Sequence, residues 1–264
     1  MTRPSGGKHS REEFREIAER GTILRCQVGS GVHGTAIAGQ DDRDEMGICT
    51  EPPEYVIGLR QFDQYIYRTQ PEGHRSGPGD LDLTVYSLRK WMRLALAGNP
   101  TILLPLFVPE TEIVAMTELG EELREAAPLI ISRQAGRRFA GYLEAQRRSL
   151  LSRDGKGRDV TRPELVAKYG WDVKFGAHMV RLGVQGVELL ETGRITLPMP
   201  QPWLGMLRDL RQGGYSMEWA LIRAERLEER LLELCATSPL REKPDHEWAD
   251  RWLIRAYETS WMER

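Results

Sequence analysis

Asp42 and Asp44 stand two residues apart, and Asp82 follows in a later stretch that alternates polar and apolar residues. On an extended strand the first two carboxylates project from one face and can hold the same cations. Asp82, on a later strand, could join them from the side. Three carboxylates converging on one point repel one another strongly, and a pair of Mg²⁺ ions is the usual way to offset that repulsion. Two hard cations suit phosphoryl chemistry, one orienting a triphosphate and the other lowering the pKa of an attacking hydroxyl. Upstream lies a turn at Gly29-Ser30, whose backbone N–H groups and Ser30 hydroxyl could hold the β- and γ-phosphates, because glycine lets a phosphate approach the main chain closely. For Asp42 and Asp44 alone a solvated acidic turn is the better reading. Gly29-Ser30 before them and Asp82 after them turn the balance toward metal binding. Asp80 reads as a strand-entry or supporting residue rather than a ligand.

These residues need particular elements around them. Ser10 and Glu13 have capping-box spacing, which predicts a short charged helix over 11–20 that ends at Gly21. TILRCQVGS has the content of a strand ending at Gly29, and DDRDEMGICT reads as a second strand entered through carboxylates. Strand-like pieces follow at Tyr55 to Leu59 and Phe62 to Arg68, then PEGHRSGPG as a flexible connection. DLDLTVY alternates by two, with Asp80, Asp82, Thr84 and Tyr86 on one face and Leu81, Leu83 and Val85 on the other. From Ser87 the period becomes helical through Leu88, Trp91, Met92, Ala95 and Leu96, and Gly98-Asn99-Pro100 closes that helix. Beyond Pro109 the pattern predicts helices alone, at about 117–126, 131–152, 171–191, 201–212, 215–237 and 245–262. Strands in the first 110 residues and helices in the last 150 predict an α+β fold: a mixed sheet with flanking helices over 1–110, then a helical domain over 111–264.

Composition narrows the class of partner. The 264 residues carry 37 basic and 39 acidic side chains, a near balance that argues against a protein that coats DNA generally and leaves local patches to be read individually. Cys26, Cys49 and Cys235 are widely spaced and lack metal-ligand spacing, so a reducing cytoplasm is the expected compartment. Neither a signal peptide nor a membrane span is expected from the apolar runs.

The Gly-Ser turn, the Asp-x-Asp after it and a third Asp on a following strand resemble the signature of the DNA polymerase beta-like nucleotidyltransferase superfamily. Within it the chain looks most like the nucleotidyltransferases associated with RNA repair. That closer likeness rests on "GSGVHG", "DRDEMGI", "DLDLTVYSLRKWMRLALAGNP", "GWDVKFGAHMVRL", "LLETGRITLP" and "SPLREKPD", in that order, over roughly residues 21–250. The resemblance implies transfer of a nucleoside monophosphate from an NTP to an acceptor hydroxyl, with release of pyrophosphate. It implies that Gly29 and Ser30 hold the triphosphate, that Asp42 and Asp44 bind both Mg²⁺ ions, and that Asp82 binds the catalytic metal and helps deprotonate the acceptor. Lys174, His178 and Arg181 match a helical Lys-x-x-x-His-x-x-Arg segment of the closer family, which implies a place near nucleotide or substrate; read without it, they are an exposed polar stripe on one helical face. His33, between turn glycines, either faces the nucleotide or shapes the loop. Two departures stand out. Arg43 occupies a position usually apolar in such enzymes, and the turn is one residue longer than expected, so Asp41 competes with Asp42 for the register. Asp42 keeps the aspartate-to-glycine spacing to Gly47.

The acceptor is read from charge. Arg133, Arg137, Arg138, Arg147, Arg148, Arg153, Lys156 and Arg158 crowd one helix and its exit, either a solvated face or a seat for an RNA phosphate backbone, with Tyr142 placed to stack on a base. The family likeness, together with this arginine-rich helix, makes RNA ends the first acceptor considered. A small molecule or protein side chain is the second, and an inactive nucleotide- or RNA-binding module the third. The tryptophans Trp91, Trp171, Trp219, Trp248, Trp252 and Trp261 are expected in core or interface, and the amphipathic run from Ala220 to Leu234 in bundle packing.

Overall fold

The computed structural model describes residues 8–71, 73–151 and 162–263. Five strands form one mixed sheet in the order β3-β4-β2-β1-β5: β1 Thr22–Val28, β2 Arg43–Cys49, β3 Gln64–Arg68, β4 Leu81–Ser87 and β5 Ile113–Met116. Helices α1 Glu12–Gly21, α2 Gly29–Val32, α3 Pro53–Val56, α4 Leu88–Leu96, α5 Glu118–Glu125, α6 Ala127–Ile130, α7 Gln134–Leu151, α8 Pro163–Tyr169, α9 Val173–Thr192, α10 Trp203–Arg211, α11 Met217–Thr237 and α12 His246–Met262, with single 3-10 turns at Leu104–Leu106 and Glu110–Glu112, complete the described elements. The α+β architecture expected from the pattern is the one observed.

The chain divides into two compact units, one of Met1–Leu96, Ile102–Ile130 and Asp245–Arg264 and one of Ala97–Thr101 and Ile131–Pro244. In the first, α1 places Phe14, Ile17, Ala18 and Gly21 on one face at helical spacing and buries them. Phe14 meets Phe62 edge to face at 5.2 Å, and Tyr55, Tyr65, Leu83 and Val85 complete that core. The last helix, α12, belongs to this unit. Tyr257 donates to Glu51 Oε2 at 2.7 Å, Trp261 Nε1 to the Glu51 carbonyl at 2.8 Å, and Trp252 Nε1 to Glu122 at 3.0 Å.

In the second unit α7, α9 and α11 pack together. Gly183 lets Leu227 approach, and Gly186 does the same for Leu231 and Phe139: an added Cβ would stand 2.7 Å from Leu227 Cβ and 2.8 Å from Phe139 Cβ. Ala220, Ala224, Leu227, Leu231 and Leu234 form the buried stripe of α11, the bundle packing expected for that run. Asp172 caps α9 through the Lys174 and Phe175 N–H groups, and Ser216 caps α11 through that of Trp219.

Four local expectations are corrected. Residues 55–59 are not a strand: Pro53 starts a helical turn, because proline suits the first helical position and cannot donate in a ladder. A strand does follow Pro109: the short edge strand β5, too brief for alternation to register, pairs antiparallel with β1. Residues 163–169 form a helix that the pattern did not mark. Arg11, not Ser10, is the cap of α1, and its side chain makes no capping bond; Ser10 is buried one residue earlier.

Candidate active site

The decisive step is a strand pairing. β2 and β4 run parallel, and their register sets Asp44 directly beside Asp82. Residues opposed in a ladder point to the same face, and Asp42, two residues before Asp44, shares it. One carboxylate oxygen from each of Asp42, Asp44 and Asp82 lies within 4.8 Å of the other two, and all three residues are half-buried. Three hard oxygen donors from three carboxylates fit a divalent cation such as Mg²⁺. Asp41 is not in this cluster; its Oδ2 accepts the Ile37 N–H at 2.8 Å.

Gly29 ends β1 at the same place. Val28 pairs with Asp44, and Gly29 follows with φ +68° to begin α2. A Cβ on Gly29 would run into the Asp44 carboxylate, at 2.7 Å from Cγ and 2.8 Å from Cβ. Glycine is thus required both by the left-handed backbone and by the closeness of the Asp44 side chain. Ser30 is half-buried in α2, its carbonyl accepting the Thr35 N–H at 3.0 Å. His33 is 1 % exposed, so its ring lies beneath the turn rather than on it.

Sequence reasoning missed the groups that hold Asp82. Gln70 Nε2 donates to Oδ1 and Ser76 Oγ to Oδ2, each at 2.8 Å, while Arg68 Nε stands 3.8 Å from Oδ2. Gln70 and Ser76 lie at and within the connection read as flexible, where no periodicity marks them. The same connection fixes Asp80, whose carboxylate accepts the Gly77 N–H at 2.9 Å and the Thr69 hydroxyl at 2.7 Å. Those bonds, the backbone one first, hold the Asp80 carboxyl below its ordinary pKa. Arg43 has a structural partner: with Arg25 it binds the buried Glu45 carboxylate, each through Nε at 2.6 Å.

Lys174, His178 and Arg181 share one face of α9, at i, i+4 and i+7, in the second unit. Burial first, then the charges of Arg181, Arg162 and Lys174, pull the His178 pKa down to about 3, so its imidazole is neutral at physiological pH. Arg181 keeps part of its surface, yet burial of its guanidinium lowers its pKa to about 10; it donates to Gln185 Oε1 at 2.9 Å and remains a cation.

On α7, Arg137 and Arg138 are exposed, whereas Arg147 pairs with Glu228 at 3.0 Å and Arg148 with Glu144 at 3.4 Å. Arg133 is structural: it donates to the Leu240 and Ala236 carbonyls at 2.8 and 3.1 Å. Arg153, Lys156 and Arg158 lie outside the described residues. Among those residues no helix is long and apolar enough to cross a membrane.

A mixed sheet that sets a Gly-Ser turn beside an Asp-x-Asp and a third strand-borne Asp defines a nucleotidyltransferase of the polymerase beta class. The chain belongs to the RNA repair pathway DNA polymerase beta family, RlaP, whose model matches residues 7–255. Among solved structures it is similar to a nucleotidyltransferase-like protein from Exiguobacterium sibiricum, at 12 % identity over 84 % of this chain and 71 % of that one, with a TM-score of 0.31. No curated protein matches the chain.

Proposed function

We propose that the chain is a Mg²⁺-dependent nucleotidyltransferase that adds a nucleoside monophosphate from an NTP to the terminal hydroxyl of an RNA. The observation that carries this reading is the convergence of the Asp42, Asp44 and Asp82 oxygens beside Gly29. Two Mg²⁺ ions, when bound, supply Lewis-acid stabilisation of the charge that develops on the transferred phosphoryl group. Asp42 and Asp44 would hold both ions, and Asp82 the catalytic one. Gly29 and Ser30 offer N–H groups and a hydroxyl to the β- and γ-phosphates. The acceptor oxygen bonds to the α-phosphorus as the bridge to the β-phosphate breaks; the hydroxyl proton passes to Asp82, and pyrophosphate leaves with the bridging oxygen.

The family likeness supports a part for Lys174, His178 and Arg181 in binding nucleotide or substrate, Lys174 and Arg181 as cations and His178 as a neutral hydrogen-bonding group. Arg137 and Arg138, with Arg147 and Arg148 beyond them, contribute to RNA phosphate contacts. The family's place in RNA repair supports the RNA acceptor over a small molecule.

The test incubates the protein and Mg²⁺ with each α-labelled NTP and total RNA, beside Asp42→Asn and Asp44→Asn. Label is expected on RNA with the wild type only. Wild-type transfer by both variants removes the mechanism, and label on a small molecule or on protein replaces the acceptor.

A further inference from the structure

One group of side chains in the second unit is used by nothing above. Tyr215 and Trp219 stack with ring centroids 4.1 Å apart and planes 27° from parallel. One turn on, the Arg223 guanidinium lies over Trp219 at 5.3 Å and over Trp203, on α10, at 5.7 Å. The order is ring, ring, cation, ring, so the inner faces of the ladder are filled by its own members, and each of the four side chains is half-buried with part of its surface exposed. The packing of α11 does not require them, since Ala220, Ala224 and Leu227 already fill its inner face. Further cations flank the ladder in the fold or along the chain. Lys168 lies over the Tyr169 ring at 4.9 Å, and Tyr169 packs on Gly213, two residues before Tyr215. Arg226 is exposed three residues after Arg223 on α11, and Arg208 is exposed on α10.

We propose that Trp203, Tyr215, Trp219 and Arg223 form a stacking platform for the unpaired bases of a single-stranded RNA segment, an inference that rests on the RNA-acceptor reading above. Every base has a π-face, so an unpaired base would extend this stack at its Tyr215 or Trp203 end, with Trp219 and Arg223 backing the end rings, and with little regard to sequence. The flanking cations suit the phosphates of the same strand. A duplex keeps its bases stacked on one another and offers the ladder no faces.

The experiment measures anisotropy of a fluorescein-labelled single-stranded 12-mer RNA, and of the same sequence as a blunt duplex, against the full chain. Trp219→Met keeps much of the volume and apolarity but removes the flat ring; Trp219→Phe keeps a ring. The expected result is preference for the single strand, about tenfold weaker binding by Trp219→Met, and near wild-type binding by Trp219→Phe, at unchanged melting temperatures. Mg²⁺-dependent binding of labelled NTP, which reads the metal cluster, is expected to be equal in all three. Equal RNA affinity of both variants and wild type overturns the platform while leaving the RNA acceptor standing. Failure of the wild type to bind single strands, with NTP binding intact, overturns the platform and the RNA acceptor together. Loss of a dimer in Trp219→Met, with RNA affinity unchanged, assigns the ladder to a protein contact and overturns the proposal.

Discussion

Gly29→Ala tests the site with the smallest perturbation available, one methyl group. Its φ of +68° lies in the left-handed region, where a residue with a Cβ costs roughly 1–2 kcal/mol more than glycine. The new Cβ would stand 2.8 Å from the Asp44 Cβ, against about 3.5–4.0 Å for an ordinary carbon–carbon contact. A side-chain rotation moves the Asp44 carboxylate but not its Cβ, so β1 and β2 must separate locally by most of an ångström. Such overpacking costs about 1–3 kcal/mol, and the sum, about 2–5 kcal/mol, is within what a domain of ordinary stability survives. The variant should therefore fold at 25 °C with a lowered urea midpoint. Its transfer rate should fall much further, by about a hundredfold, because a displacement of about 1 Å at a reacting centre costs on that order. Urea melts, Mn²⁺ binding by electron paramagnetic resonance and single-turnover transfer together check this. A folded Gly29→Ala protein with wild-type Mn²⁺ affinity and transfer rate would refute the close approach of the turn to Asp44.

Three further outcomes follow from named contacts. Gln70→Ala should weaken Mn²⁺ binding by about tenfold through loss of the donor that orients Asp82, as outer-shell partners of metal ligands commonly do; unchanged or tighter binding would remove the positioning role. Burial raises the Glu51 carboxyl above its ordinary pKa, against the Tyr257 hydrogen bond, two backbone N–H groups and the Arg89 charge. Its contribution to stability is thus complete below about pH 4.3 and lost as pH rises through the folded value. Glu51→Gln should flatten the fall of melting temperature over that window, and parallel wild-type and variant curves would contradict it. His178, depressed to about 3, contributes stability that is complete above its ordinary pKa of about 6.5 and lost as pH falls toward the folded value. In ¹⁵N-histidine spectra its ring should stay neutral from pH 5 to 8, and a titration near 6.5 would show that the ring is not buried.

What was legible in the sequence follows the range over which each signal acts. The periods of α9, α11 and α12 run over many residues, so their faces and near-boundaries were readable. β5, with four residues, and α3, with four, fall below the length at which a period can be counted. Asp42, Asp44 and Asp82 were legible as residue types at a telling spacing, but their convergence depends on something no local window contains: that β2 pairs with β4, in parallel, in the one register that opposes Asp44 to Asp82. A slip of one residue would turn the β4 carboxylate to the other face of the sheet. The Asp82 side chain that this register places beside Asp44 is held by groups the sequence hid. The antiparallel pairing of β3 with β4 sets Arg68 opposite Asp82, and the connection between them carries Gln70 and Ser76 back onto the same carboxylate. Glycine and proline made that connection look like a passive link, yet its turns are what return two hydrogen-bond donors to the strand just left. The Asp82 carboxylate is thus fixed from outside the ladder as well, by two side-chain hydrogen bonds that set its rotamer.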